Sequence, residues 1–477
     1  MKKNVKKGNR VVPLHPSIDP SEVEEQWSDH EAISNHFTEV GGALGELIRI
    51  GHKMSHMDTS FPSLAGALVG LSAAANNMWH VEWANGRKTH LNLYVLLIMP
   101  SGAGKEAGRS VARQCAQEAQ AGFYDSMTSD AALHNALCRN KNVLLSIDEF
   151  GRVLSNARKT TGSHQKSLVT ALMSAWGLAD KVLASRGYAD GKNDKPEVYN
   201  PYVSLFGVST LVRFVEGVEA EDTEDGTLNR LLVIPGGDPQ QKPYDAPTYS
   251  ESQLPEHLRN MLANMAAGRI ANNQMKGNRP VTPKPQLPKK GVIEPDMQAD
   301  DLLRAYHEDV DKRKRAAGDM RGLWGRALEI MVRLAGLLAL ADEALKGPIY
   351  GAVTMQATHV NYAYELVCAC TNWVEREIGE VVRANTEKDK IRVCVLRALH
   401  ELPARIKHPR RPGPEFVPLS KITERIKSKT KQRSLITDTL EEMKIMNEIR
   451  ESVVSAEGRG RPTSFFALSM PFEDYEI

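Results

Sequence analysis

The chain has 477 residues, of which 41% are hydrophobic, 25% charged and 6% aromatic, and its 61 Lys+Arg against 59 Asp+Glu leave a formal net charge of +2. That composition excludes a wholly disordered, collagen-like or membrane-embedded chain and allows roughly two to four domains with a sizeable core. The near-zero total argues against a nucleic-acid partner only as long as the positions of the charges are ignored.

Residues 1–30 are polar, contain Pro13, Pro16 and Pro20, and begin with Lys2, Lys3, Lys6, Lys7 and Arg10, so they read as a flexible basic arm. No apolar run follows them, which argues against a secretory signal. Residues 31–90 carry apolar side chains at helical spacing (Leu44, Leu47, Ile48; Leu64, Leu68, Leu71) and form an N-terminal helical region. From 91 to 271 the pattern alternates. Leu91–Met99, Val143–Ile147, Tyr202–Val208 and Leu231–Ile234 are short apolar runs of buried-strand type, separated by helical stretches. Such alternation predicts an α/β fold with a helix-covered parallel sheet. Residues 272–300, with Pro280, Pro283, Pro285, Pro288 and Pro295 among lysines, predict a linker. Residues 301–385 return to helical periodicity around Trp324, Leu328, Met331, Leu334 and Leu338. Over 386–470 the order is helix, Pro/Arg-rich loop, two helices and two short strands about a Gly/Arg turn, the plan of a winged helix.

The five cysteines are Cys115, Cys138, Cys368, Cys370 and Cys394, and Cys368-Ala-Cys370 falls one residue short of a CxxC. They read as reduced thiols in a cytoplasmic protein. Leu64–Ala75 and Ala327–Ala341 are the most apolar stretches, and both are too short to span a bilayer.

Chemistry concentrates after the first strand. Ser101-Gly102-Ala103-Gly104-Lys105-Glu106 stands where a strand should end and a helix begin. Glycines there let consecutive N–H groups wrap an anion, the helix adds its positive end, and the lysine supplies a point charge for the β- and γ-phosphates of ATP. The full pattern GxxxxGK[ST] is not met, because Met99 replaces its first Gly and Glu106 its final Ser/Thr. A Gly-rich turn with a surface lysine is the plain alternative. The second element is Val143–Ile147 followed by Asp148-Glu149. Asp148 would hold Mg²⁺, alongside Glu106, and Glu149 would polarise the attacking water. Two acids at a helix N-terminus are the alternative. Ser209-Thr210 end the third strand, where ATPases with an additional strand contact the γ-phosphate or the lytic water; an N-cap is the bland reading. Arg230, ahead of the fourth strand, belongs either to its own subunit's ion pairs or to a neighbour's γ-phosphate as an arginine finger.

From about Phe61 to Val367 these residues resemble a family of primase-helicase-like P-loop ATPases, found mainly in prophages and mobile elements and related to the ring helicases. The resemblance rests on Pro62, Ser101–Glu106, Ile147-Asp148-Glu149, Pro201–Thr210, Gly226…Asn229-Arg230, Trp324-Gly-Arg326-Ala…Arg333-Leu-Ala and Val353-Thr…His359-Val-Asn-Tyr-Ala363. It implies a RecA/AAA+-like P-loop NTPase core that binds ATP and Mg²⁺ between subunits of a homo-oligomeric ring, a hexamer. It also places Arg326 and Arg333 where such ATPases carry a second-sensor arginine; a buried arginine paired with Asp342 or Glu343 is the alternative. Related helicases put DNA-gripping loops between the acid pair and the third strand, which here holds Arg158-Lys159 and Ser185-Arg186.

Lys388–Met470 holds 18 Lys+Arg against 10 Asp+Glu. The helix opening at Lys429-Thr-Lys431-Gln-Arg433 would enter a major groove, and Gly458-Arg459-Gly-Arg461-Pro462 would hook into a minor groove. A winged helix that binds protein is the rival. Trp79, Trp83 and Trp176 read as core or interface residues rather than base-stacking platforms. The expectation is an ATP-dependent, ring-forming DNA helicase or translocase of a phage or mobile element, with single-stranded DNA in the pore, duplex at the winged helix and no membrane partner. An ATP-switched replication initiator or regulator without unwinding is the alternative, and a defence ATPase is a third.

Overall fold

The structure, a computed structural model, describes residues 33–83, 85–159, 164–185, 194–218, 226–243, 246, 254–269, 290–385, 387–403, 411–427, 433–454 and 463–471. The expected basic arm, most of the Pro-rich segment, and Arg186, Lys429, Lys431, Arg459 and Arg461 lie outside the described residues.

The chain divides into two compact units, Met1–Glu377 and Ile378–Ile477. The first opens with helices α1 (Gly42–Met54) and α2 (Phe61–Ala75), strands β1 (Trp79–Glu82), β2 (Lys88–His90) and β3 (Tyr94–Ile98), α3 (Glu106–Glu118), β4 (Gly122–Tyr124), α4 (Asp130–Arg139) and β5 (Asn142–Ile147). Next come α5 (Phe150–Lys159), α6 (His164–Ala175), the two-residue strands β6 (Val182–Leu183) and β7 (Val198–Tyr199), β8 (Tyr202–Ser209), α7 (Leu211–Gly217), β9 (Leu231–Pro235) and α8 (Glu256–Ala267). β10 (Gly291–Pro295), α9 (Met297–Ala316), α10 (Ala327–Lys346), β11 (Val353–Met355) and α11 (Ala357–Asn385) follow, the last running on into the second unit.

The expected alternation is present: five parallel strands form one sheet in the order β4-β5-β8-β3-β9. Every residue of β3, β5, β8 and β9 is buried, as a parallel sheet covered on both faces requires. β8 lies between β3 and β5, so the strand leading to Lys105 and the strand leading to Asp148 are not neighbours.

The helix that carries the glycine loop is fixed by close backbone contact. All fifteen residues of α2 are buried. A Cβ on Gly66 would lie 2.0 Å from the Gly108 carbonyl oxygen, and one on Gly108 would lie 2.1 Å from that of Pro62. Glycines at this crossing therefore let α2 and α3 touch main chain to main chain. Ser72 then ties α2 to the sheet: its hydroxyl is 2.8 Å from Ser204 Oγ and accepts from the Leu93 N–H at 2.8 Å.

Two expectations need correction. The N-terminal region is not helical throughout, because β1 and β2 pair as an antiparallel hairpin. The Pro-rich segment does not extend as a linker to residue 300. β10 inserts between β1 and β11, parallel to both, in a second sheet ordered β11-β10-β1-β2, and α9 begins at Met297. Pro295 closes β10, a position where its missing N–H costs little.

In the second unit, α12 (Glu387–Glu401), β12 (Val417–Pro418), α13 (Leu419–Lys427), α14 (Arg433–Ile445), β13 (Ile449–Val454) and β14 (Thr463–Leu468) follow the expected order. Its three-stranded antiparallel sheet runs β12-β14-β13. Val395, Leu396, Ile422, Ile436, Leu440 and Phe466 belong to its own hydrophobic core. Among the described residues no helix is long and apolar enough to cross a membrane. Cys115 and Cys368 are buried and free, and burial pushes their thiols up to about 12, which makes them inert.

Candidate functional site at the carboxyl edge of the sheet

Three of the sequence-predicted segments leave the sheet at the same edge. Ile98 stands beside Ser209 and Ile147 beside Gly207, so Met99 is level with Thr210, and Asp148 leaves the same edge two residues earlier, level with Val208. The Met99 N–H donates to the Ser209 carbonyl (3.0 Å) and the Gly236 N–H to the Ile98 carbonyl (2.9 Å), so both flanks of the departing chain are held.

The loop from Pro100 to Lys105 then turns into α3. Gly102 and Gly104 both adopt left-handed backbone, with φ of 78° and 77°. A Cβ on Gly104 would come within 2.8 Å of Met57 Cγ and 2.9 Å of Ser55 Oγ, whereas one on Gly102 would meet open space. The inner side of the loop is thus locked against residues 55–57 and its outer side is free. Two left-handed glycines in alternation, a helix N-terminus behind them and a half-buried lysine make a concavity that suits a phosphate anion. Burial lowers the Lys105 ammonium from its ordinary value, and the carboxylates of Asp148 and Glu149 oppose that shift. The acid pair, one strand removed across β8, thus acts electrostatically on the loop lysine.

Glu149 itself has φ 52°, an unusual conformation for a residue with a Cβ. Its N–H donates to Asp148 Oδ1 (3.0 Å), and its carboxylate accepts from Arg152 Nη1 at 3.3 Å. Glu106 is the first residue of α3. Its side chain is 79% exposed and lies 3.6 Å from Arg109, which in turn grips Asp125 at 2.7 Å. Among the described residues no group of three or more His, Cys, Asp or Glu side chains is arranged to hold a metal ion.

Ser209 and Thr210 reach this edge with different hydrogen bonding. Ser209 is buried, and its hydroxyl donates to the Thr210 carbonyl (3.0 Å) while pressing on Gly151. It packs rather than faces the loop. Thr210 caps α7, accepting from the Arg213 N–H at 3.4 Å.

The expected arginines sit at the opposite edge. Leu231 pairs with Tyr94 at the amino end of β3, so Arg230 is separated from its own loop by the length of the strand, more than about 13 Å. Its Nη1 donates to the Gly226 carbonyl at 2.5 Å. Arg326 is paired with Glu329 at 2.8 Å, and neighbouring Gly325 abuts Asn229 at that same amino edge. Arg333 is corrected outright. It is 3% exposed, stacks 3.9 Å over Trp176, and donates to the Asn92 carbonyl and side-chain oxygens, the Trp176 carbonyl and Glu329. Both terminal nitrogens of this buried guanidinium are taken within its own subunit, and among the described residues only Nε lacks an acceptor, so it is not presented to a nucleotide. Its acidic partner is Glu329, not Asp342 or Glu343.

Of the expected DNA contacts, Arg158 and Lys159 end α5 and Arg433 opens α14; their side chains lie outside the described residues. Arg109 and Arg152 escaped the sequence reading, although each stands three residues after its acid, the helical spacing for ion pairs. Glu329 escaped it too: its carboxylate lies within 2.6 Å of Arg333, 2.8 Å of Arg326 and 3.9 Å of Arg87. No protein-family model matches the chain, and no match is found among curated proteins.

Proposed function

We propose that the chain is a P-loop ATPase of RecA/AAA+-like type that acts on DNA as a ring-forming helicase or translocase in the replication of a phage or mobile element. The observation that carries this reading is the strand order β4-β5-β8-β3-β9. It brings the glycine loop, the acid pair and Thr210 to one edge, with an additional strand between loop and acids. Ligands of open α/β sheets bind outside the carboxyl ends of the strands.

In this reading the Ser101–Glu106 backbone and Lys105 hold the β- and γ-phosphates of ATP. Asp148 orients Mg²⁺, which needs only one or two protein carboxylates beside phosphate oxygens. Glu149 accepts the proton of the attacking water, and ATP supplies the phosphoanhydride that is cleaved. Arg230 faces away from its own loop, the placement needed if it serves a neighbouring subunit of a hexamer. The second unit, with three helices and an antiparallel sheet, is read as a winged helix that would take duplex DNA through α14 and the segment between β13 and β14.

The test is phosphate release. Lys105→Ala should abolish ATP binding, and Glu149→Gln should keep binding but lower hydrolysis by about 10²–10⁴-fold. Undiminished release in both variants removes the assignment. A second reading, an ATP-switched initiator or regulator without unwinding, is favoured by one observation: Glu106, in the Ser/Thr position, turns outward to Arg109. ATP-dependent binding to forked DNA without strand displacement would select it.

A further inference from the structure

At the amino edge of the five-stranded sheet lies a second concavity, of about 490 Å³, between the β1–β2 hairpin, α9 and the 3₁₀ turn Gly318–Arg326. Trp83, Arg87, Asn229, Lys314, Arg326 and Glu329 are among its lining residues. It shares none of them with the glycine loop.

Its charge is unbalanced. One carboxylate, Glu329, is shared by three guanidiniums: Arg333 at 2.6 Å, Arg326 at 2.8 Å and Arg87 at 3.9 Å. Burial works to raise the Glu329 carboxyl, yet Arg333 and Arg326 bring it below the ordinary carboxylate range. The other acid of the pocket, Asp311, is taken by Arg315 at 2.5 Å. Lys314 is exposed and has no ion pair among the described residues. The wall thus presents more positive charge than its acids neutralise, with Arg87 57% and Arg326 34% exposed.

An aromatic face adjoins this charge. Trp83 is half-buried, and its Nε1–H donates to Thr89 Oγ1 at 2.8 Å, which fixes the indole plane. The Arg87 guanidinium stands 5.6 Å from the centre of that ring. The Asn85 side chain accepts from the Arg87 N–H at 3.0 Å, and the Gly86 N–H donates to the Trp83 carbonyl at 2.8 Å, which ties residues 85–87 back to Trp83. A firm aromatic plane beside unneutralised cations is the combination that binds single-stranded nucleic acid, phosphates on the cations and bases on the ring.

We propose that this pocket binds a segment of single-stranded nucleic acid, with backbone phosphate on Arg87, Lys314 and Arg326 and a base against Trp83. The inference deepens the DNA-acting part of the proposed function, but it does not require the glycine loop to hold ATP.

The test uses the full chain without nucleotide and a fluorescently labelled oligo(dT), titrated at several salt concentrations. Lys314→Ala and Arg87→Ala, both exposed positions, should each weaken binding by about tenfold and flatten the slope of log affinity against log salt by about 0.7. Trp83→Phe should retain affinity and Trp83→Ala should lose about tenfold. The thermal midpoint of each variant is compared with that of the unmutated chain, and Trp83→Phe serves as the readout if Trp83→Ala unfolds. Lys105→Ala should bind oligo(dT) as the unmutated chain does, which separates this site from the phosphate loop. Unchanged affinity and slope in Arg87→Ala and Lys314→Ala would falsify the proposal. So would displacement of oligo(dT) by ADP or tripolyphosphate at equal concentration of phosphate, the behaviour of a site for a neighbour's nucleotide.

Discussion

The two edges of the five-stranded sheet hold their cations in opposite states. At the carboxyl edge Lys105 is half-buried beside an open loop, with Asp148 and Glu149 acting on it from another strand. At the amino edge Arg333 is enclosed and donates to four oxygens of its own subunit. The first cation retains capacity for an external anion and the second has none. What separates a binding cation from a structural one is the number of acceptors already around it.

The widest effect should come from breaking the saturated side. Arg333→Ala would take its nearest guanidinium from Glu329, leaving Arg326 at 2.8 Å, would remove a donor from the buried Asn92 carbonyl, and would remove the stack on Trp176. Breaking a buried pair from one side costs about 3–5 kcal/mol. Urea unfolding should show that loss, while the folded fraction keeps its nucleotide affinity. Lys105→Ala should do the reverse: a small change in midpoint and no nucleotide bound. An Arg333→Ala chain of undiminished stability that failed to bind nucleotide would overturn the comparison.

Acid provides the next largest perturbation, again at the amino edge. His80 and His90 face each other across β1 and β2, both buried, and among the described residues none of their four ring nitrogens has a hydrogen-bond partner. Burial lowers His90 to about 4; Lys290 adds to the shift and Asp180 opposes it. A folded value below the ordinary 6.5 means that the unfolded chain takes up a proton first as pH falls. Stability is therefore full above about pH 6.5, declines between about 6.5 and 4, and levels off below. The span corresponds to about 3 kcal/mol at 1.36 kcal/mol per pH unit. His90→Leu should flatten that part of a pH series of urea midpoints. An unaltered pH slope would mean that this edge tolerates another positive charge.

Much of this was legible before any fold was known. The core strands read from apolar runs, because a parallel sheet buries both faces and needs no alternation. The second unit read helix by helix from its apolar stripe. β1, β2, β10 and β11 escaped, being three to five residues long and drawing their burial from neighbours distant in sequence. Pro295 made 291–300 look like a linker, since a proline at a strand's last position carries the same local signal as one in a loop. At the site, the loop and acid pair were visible as motifs. Arg333 was not assignable, because its partners Asn92 and Trp176 lie more than 150 positions away in the chain.

A smaller effect should distinguish two glycines of the loop. Both have left-handed backbone, and an alanine there costs about 1–2 kcal/mol from backbone strain alone. Gly104→Ala must in addition push aside Met57 and Ser55, whereas Gly102→Ala meets open space. Gly104→Ala should therefore lie at or above the upper end of that range and Gly102→Ala near the lower end. Both should weaken ATP binding, Gly104→Ala more. Equal stability losses would indicate that the contact with residues 55–57 yields freely and does not brace the loop.

Thr210 gives the finest test, since it stands at the binding edge and its hydroxyl, unlike the Arg333 guanidinium, accepts one hydrogen bond and keeps its proton to donate. Its Oγ1 caps α7 through the Arg213 N–H. Thr210→Ala should cost about 1 kcal/mol by loss of that cap, and Thr210→Asn should recover it, because asparagine caps at least as well. Hydrolysis separates the two roles. If the hydroxyl also reaches the γ-phosphate, Thr210→Asn keeps its stability and loses about a hundredfold in phosphate release, the scale of one lost oxyanion donor. That is the expected result, because Asp148 and Thr210 leave the same edge of the sheet, on strands that are direct neighbours. Full hydrolysis in Thr210→Asn would make Thr210 a structural residue like Arg333, and would confine the reactive part of this edge to the loop and the acid pair.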